Sequence, residues 1–104
     1  MVAGAESSSV NTLTLVGVLT EMASPRYTPA GVPVLDAVLS HESMQVESGQ
    51  ERAVVLKLKT ISFGSIAEAL ARQALGTTWV MTGFLTNTRN GKGVVLHVQD
   101  FKPI

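Results

Sequence analysis

Cysteine is absent from the 104-residue chain, which excludes disulfides and thiolate metal sites and fits a cytosolic protein. The two histidines, His41 and His97, stand far apart without a carboxylate pattern beside them, so no metal and no other cofactor is expected. No apolar run approaches the roughly 20 residues that span a bilayer, so no membrane segment is predicted. The opening M-V-A-G-A-E-S-S-S lacks the basic start and apolar core of a secretory signal, and residues 1–10 read as a flexible tail. There is no Gly-rich phosphate loop, no cysteine nucleophile and no His–carboxylate constellation, and Asp36 and Asp100 are isolated. An enzyme is therefore not expected. Aromatic residues make up only 5% of the chain, so any surface that stacks bases must do it with few rings.

The formal net charge is also zero, but the two halves differ. Residues 1–51 hold one basic residue against six acidic ones, and residues 52–104 hold seven basic against two acidic. A neutral sum can thus conceal one basic face, although a solvated surface without a partner gives the same balance. At this length the chain is expected to form one domain, over residues 11–104, around one core.

The pattern from Asn11 to Ser40 organises the rest. N-T-L-T-L-V-G-V-L-T alternates with period two, placing Leu13, Leu15 and Gly17 on one parity. A glycine inside a strand marks a bend or bulge, and a bent first strand can pair on both sides and help close a barrel. Pro25, Pro29, Gly31 and Pro33 make the following segment a loop, tipped by Arg26 and Tyr27, before a second strand from Val34 to Ser40. His41 to Gln50 is polar and contains Ser48-Gly49, so it reads as a loop or frayed hairpin end. A third strand, Glu51 to Thr60, puts Val54, Leu56 and Leu58 on one face and Val55, Lys57 and Lys59 on the other. Ser65 to Leu75 is the one convincing helix, with Ser65 and Glu68 as a capping box, Ile66, Leu70 and Ala74 along one side, and Gly76 as the stop. Thr77 to Asn87 and Val94 to Phe101 form the last two strands around an Asn90-Gly91 turn. The order β-β-β-α-β-β is that of an all-β, five-stranded OB-fold barrel with one short helix.

OB-folds bind single strands across their second and third strands, between the first and the last hairpin loops. Arg26 and Tyr27 fall on the first loop, Arg52, Lys57 and Lys59 on the third strand, and Arg89 and Lys92 on the last hairpin. These seven are the candidate nucleic-acid-binding residues. Tyr27 either stacks on a base or packs across Pro25 or Pro29. Lys57 and Lys59 either contact phosphates or protect a strand edge. Trp79, Phe63, Phe84 and Phe101 read as core or rim residues.

N-T-L-T-L-V-G-V-L followed by S-P-R-Y-T-P-A-G-V-P-V resembles the opening of bacterial single-stranded DNA-binding proteins, and more closely that of their primosomal relatives, the PriB (primosomal replication protein N) family. T-G-F-L-T and V-V-L-H-V-Q, on either side of the Asn90-Gly91 turn, support the closer match, which runs from Asn11 to the end of the chain. Replicative members of the wider family carry a long extension with an acidic tip, whereas this sequence ends at F-K-P-I, directly after the fifth strand. The resemblance implies a cytoplasmic homodimer that binds single-stranded DNA and acts with the PriA helicase and the DnaT loader in replication restart. Family members often place stacking aromatics near the start of the third strand, where this chain has Gln50, Glu51, Arg52, Ala53, Val54 and Val55. Binding is therefore expected to be modest, electrostatic and sensitive to salt. A protein-binding OB adaptor is the alternative, and the residues do not separate DNA from RNA as the ligand.

Overall fold

Alternation of apolar and polar residues closes this chain into a ring of strands. The computed structural model describes residues 9–104. Most of the expected tail, residues 1–8, lies outside the described residues. In chain order the elements are β1 (Leu13–Met22), β2 (Arg26–Tyr27), β3 (Pro33–Glu47), β4 (Gln50–Phe63), α1 (Ser65–Ala71), β5 (Thr78–Asn87) and β6 (Val94–Pro103). Strands neighbour one another in the order β1-β5-β6-β4-β3, and β3 returns to β1, which closes a five-stranded barrel. All pairings are antiparallel except β4 with β6. This is the OB-fold expected from the sequence, with the two-residue β2 added at the edge of β3.

β1 closes the ring by changing partner. Its first half, Leu13 to Val18, lies against β5, and from Val18 onward it lies against β3. The bend is not at Gly17, as the sequence predicts, but three residues later. The register slips between Leu19 and Glu21, leaving Thr20 as the extra residue of a bulge. Gly17 serves close packing instead. A Cβ there would lie 2.6 Å from Leu39 Cγ and 2.7 Å from the Ser40 carbonyl oxygen. The glycine lets β3 press against β1 where β1 switches neighbours.

Inward-facing residues follow the predicted parity on β1 and fill the barrel with Leu19, Leu35, Leu39, Leu58, Leu70, Met81, Leu96 and Val98. Burying each leucine contributes about 1.5–3 kcal/mol. Trp79 sits at the margin of this core, edge-on to Phe101 at 5.1 Å, with its indole N–H donating to Thr77 Oγ1.

Of the two readings of His41 to Gln50, the hairpin end holds and the loop does not, and the end is not frayed: β3 and β4 run on as one hairpin through fourteen uninterrupted pairs, from Val34–Phe63 to Glu47–Gln50. Ser48 and Gly49, with φ of 51° and 75°, form its two-residue turn, the geometry that matches strand twist. The outer part of this hairpin stands clear of the barrel, so Leu56 is exposed and the inward face of β4 starts only at Leu58.

The helix is also shorter than predicted, ending at Ala71, and its N-cap is Gly64 with no side-chain cap bond. The Ser65–Glu68 box therefore does not form. The helix stops early because the chain is drawn back to β1, where Gly76 N–H donates to the Leu19 carbonyl and Leu19 N–H to that of Thr77. The Gln73 side chain also caps the Ala69 carbonyl. Ala67 and Leu70 are the helix's buried residues, and Ala74 is exposed. Among the described residues, no helix is long and apolar enough to cross a membrane.

Candidate nucleic-acid interface

On β3 and β4 side chains alternate between the core and the outer sheet face, so an unshifted register fixes which residues share that face. Asp36, Val38 and Ser40 on β3 stand opposite Ile61, Lys59 and Lys57 on β4. β6 continues two of these rows, with Val95 beside Lys59 and His97 beside Ile61. The result is a groove of about 680 Å³ floored by β3, β4 and β6. One wall is the end of β1 with Arg26 of β2, and the other is Asn87 to Arg89 at the start of the last hairpin loop.

Arg26, Lys59 and Arg89 line this groove, so three of the seven sequence candidates, from separate stretches, meet there. Lys57 is next on the same face, two residues along β4. Lys92 lies on the β5–β6 loop, where Asn90 Oδ1 accepts from both Thr88 Oγ1 and the Lys92 N–H. This bonding, with Gly91 N–H donating to the Thr88 carbonyl, shapes the loop that carries Arg89 and Lys92.

The other two candidates are elsewhere. Arg52 has the opposite parity to Lys57 and Lys59, so it points to the far side of the hairpin, where it pairs with Glu47 at 2.6 Å. Tyr27 lines a smaller cleft of about 230 Å³ between Pro25, Pro33, Glu68 of the helix and Arg72 at its C-cap. Neighbouring residues on β2 point to opposite sides, which sends Arg26 to the groove and Tyr27 away from it.

Arg26 is not a free cation. Its Nε donates to Asp36 Oδ2 at 2.9 Å and its Nη2 to Asp36 Oδ1 at 3.3 Å. The carboxylate, through these bonds and its charge, raises the pKa of the guanidinium further. Glu21 adds a second carboxylate to the groove lining. Three cations thus face two anions, and the positive field comes chiefly from Lys59 and Arg89 inside the groove and from Lys57 and Lys92 around it.

The sequence misses the aromatic content of this face. His97 is stacked between two phenylalanines, 4.7 Å from Phe84 at 19° and 5.8 Å from Phe63 at 21°. The register puts Phe84, His97 and Ile61 in one transverse row, and Phe63 shares their parity on β4. The three rings form a diagonal ladder across β5, β6 and β4, and Phe63, at its end, is 43% exposed. Alternation around Phe63 was the available signal, since it has the parity of Lys57 and Lys59. A base stacking on Phe63 would gain about 1–3 kcal/mol. Phe63→Ala is therefore expected to weaken oligo-dT binding by about fivefold or more while the protein keeps a cooperative unfolding transition at a modestly lower denaturation midpoint. An unchanged Kd would remove the ladder from the interface.

Beyond Lys57, the same face continues up the hairpin as an exposed apolar strip of Val55, Met44 and Val46, interrupted by Glu42 and Glu51. His41 anchors the base of this arm: its Nδ1–H donates to the Val16 carbonyl at 2.6 Å, and Nε2 bonds Ser43 Oγ at 2.7 Å.

Comparison with known proteins agrees with this architecture. The model of a family described as "another single-strand binding protein family" matches residues 11–100. Replication restart protein PriB of Nitrosomonas europaea is 37% identical over 95 residues, covering 90% of this chain and 88% of that protein. PriB of Bordetella pertussis is 40% identical over 96 residues, covering 91% and 90%. The structure of PriB from Ralstonia solanacearum superposes with a TM-score of 0.83 at 35% identity, over 91% of this chain and 98% of that one. The wild-type single-stranded DNA binding protein of Thermus aquaticus gives a TM-score of 0.72 at 28% identity, over 91% of this chain and half of its own. The chain belongs to the PriB family of replication restart proteins, on the single-strand binding protein fold.

Proposed function

We propose that this protein is a non-catalytic, single-stranded DNA-binding accessory protein of replication restart, acting in the cytoplasm through one OB-fold domain over residues 11–104. The observation that carries this is the meeting of Lys59 and Arg89 in one groove with an aromatic ladder on the same sheet face that ends at the exposed Phe63. Cations hold a flexible phosphate backbone without reading sequence, and ring faces accept any unpaired base. Duplex DNA offers no unstacked base to Phe63. The test is competition between unlabelled single strands and duplex of the same length for a labelled oligo-dT complex. Single strands should displace the label at much lower concentration. Equal competition by duplex would contradict the proposal.

PriA and DnaT are the proposed protein partners, and the strip of Val55, Met44 and Val46 supports a protein-contacting role for the hairpin. That strip also favours a second function, a protein-binding adaptor, which predicts no oligonucleotide binding even at low salt. A homodimer is proposed as well. Among the described residues, Leu13 to Gly17 pair with β5 on one side and with no strand on the other, where His41 takes the Val16 carbonyl and the Val16 side chain is exposed. Such an open edge suits a second copy. Sedimentation velocity should give twice the 11.0 kDa chain mass. Monomer alone at micromolar concentration would contradict the dimer.

A further inference from the structure

A groove serving phosphates alone has no use for a carboxylate on its floor, yet Asp36 is there. Asp36, Ile61 and His97 occupy one transverse row on β3, β4 and β6. Neighbouring strands lie about 4.8 Å apart, so Asp36 and His97 flank Ile61 at a separation of about 10 Å. That spacing admits one pyrimidine ring over an apolar floor, with its edges toward the two polar side chains.

The Asp36 carboxylate is held in place, since Arg26 donates to both of its oxygens. An ionised carboxylate accepts at about four positions and donates at none. Two positions are taken by Arg26, one remains on each oxygen, and the side chain is 45% exposed. Fixed acceptors facing a base-sized space discriminate by chemistry. The 4-amino group of cytosine donates to them, whereas thymine presents a carbonyl oxygen at that position and carries its one donor, N3–H, on the neighbouring ring atom. Two opposed acceptors repel, so the discrimination has an attractive and a repulsive part.

We propose that Asp36, oriented by Arg26, forms a base-reading subsite over Ile61 that selects an unpaired cytosine over thymine. The proposal rests on the single-strand reading of the groove and adds a base preference to it. Arg26 is a positioning residue in this scheme, not a phosphate contact.

The test is fluorescence anisotropy with labelled oligomers of dT, dC and 5-methyl-dC, equal in length, at neutral pH and low salt. The 5-methyl-dC oligomer carries the methyl group of thymine and differs from it only in the 4-amino group and the unprotonated N3. The wild-type protein is expected to bind dC and 5-methyl-dC about three- to tenfold more tightly than dT, the scale of one half-exposed charge-assisted hydrogen bond. In Asp36→Asn the amide can turn to serve either base, and Arg26 is freed. The preference should vanish while affinity for dT rises. Equal affinities in the wild type, or a preference that survives Asp36→Asn, would overturn the base-reading role and leave strand binding standing. A flat trace with every oligomer would overturn strand binding, and this subsite with it.

Discussion

Gly83→Ala is expected to cost at least about 4 kcal/mol and to lower the urea denaturation midpoint steeply. A Cβ on Gly83 would collide with the His97 carbonyl oxygen and would lie 2.8 Å from the carbonyl carbon behind it. Both are backbone atoms in the middle of β6, so no rotamer change relieves the overlap. The register slips here, with Thr82 opposite Asp100 and Gly83 opposite Val98, so Gln99 is the extra residue of a bulge. β6 can fold over the glycine only because nothing projects from it. Domains of this size are stable by about 5–15 kcal/mol, so such a loss consumes much of the margin. Urea denaturation checks it, and a midpoint within experimental scatter of the wild type would contradict this account of the bulge. The same approach carries His97 into its place between Phe84 and Phe63, so the glycine supports the interface as well as the barrel.

Reversing three charges at once, with Lys57→Glu, Lys59→Glu and Arg89→Glu, is expected to lower single-strand affinity by about a hundredfold or more. Each lysine or arginine that neutralises a phosphate releases counterions, and each reversal adds repulsion. The three side chains are exposed, so stability should change by less than about 0.5 kcal/mol per site. Arg52→Ala is the internal control. It lies on the opposite face and is paired with Glu47, so affinity should stay within about twofold. Equal losses from Arg52 and from the groove cations would mean that general charge, rather than this face, governs binding.

The strand order, the inward parity of Leu13, Leu15 and Gly17, and the closing role of β1 were legible in the sequence because period-two burial leaves a direct trace there. The length of the β3–β4 hairpin was not. His41 to Gln50 is polar because that part of the arm leaves the barrel and has no core to face, so local composition resembled a loop. The capping box failed for a tertiary reason, since Gly64 already turns the chain with φ of 72° and needs no side-chain cap. Among the site candidates, position on a strand was readable, whereas facing depends on the strand running unbroken. Arg52 differs from Lys57 by five residues, an odd number, which alone sends it to the other side of such a strand. Asp36 and Arg26 are ten residues apart, and only the pairing of β2 with β3 brings them together. The Phe84–His97–Phe63 ladder draws on three strands, and no local window contains it.

The most direct test of the central claim is the salt dependence of oligo-dT binding by the wild-type protein, followed by fluorescence anisotropy from low to physiological ionic strength. Lys57, Lys59 and Arg89 on this face and Lys92 on the adjoining loop each contribute about 0.7 to the slope for a single strand, so log Kobs should fall with log salt at a slope near about −3. Saturable binding with that dependence is what a basic groove with a short aromatic ladder predicts. Absence of binding at low salt, or binding indifferent to salt, would contradict it and leave the apolar hairpin as the working surface of the molecule.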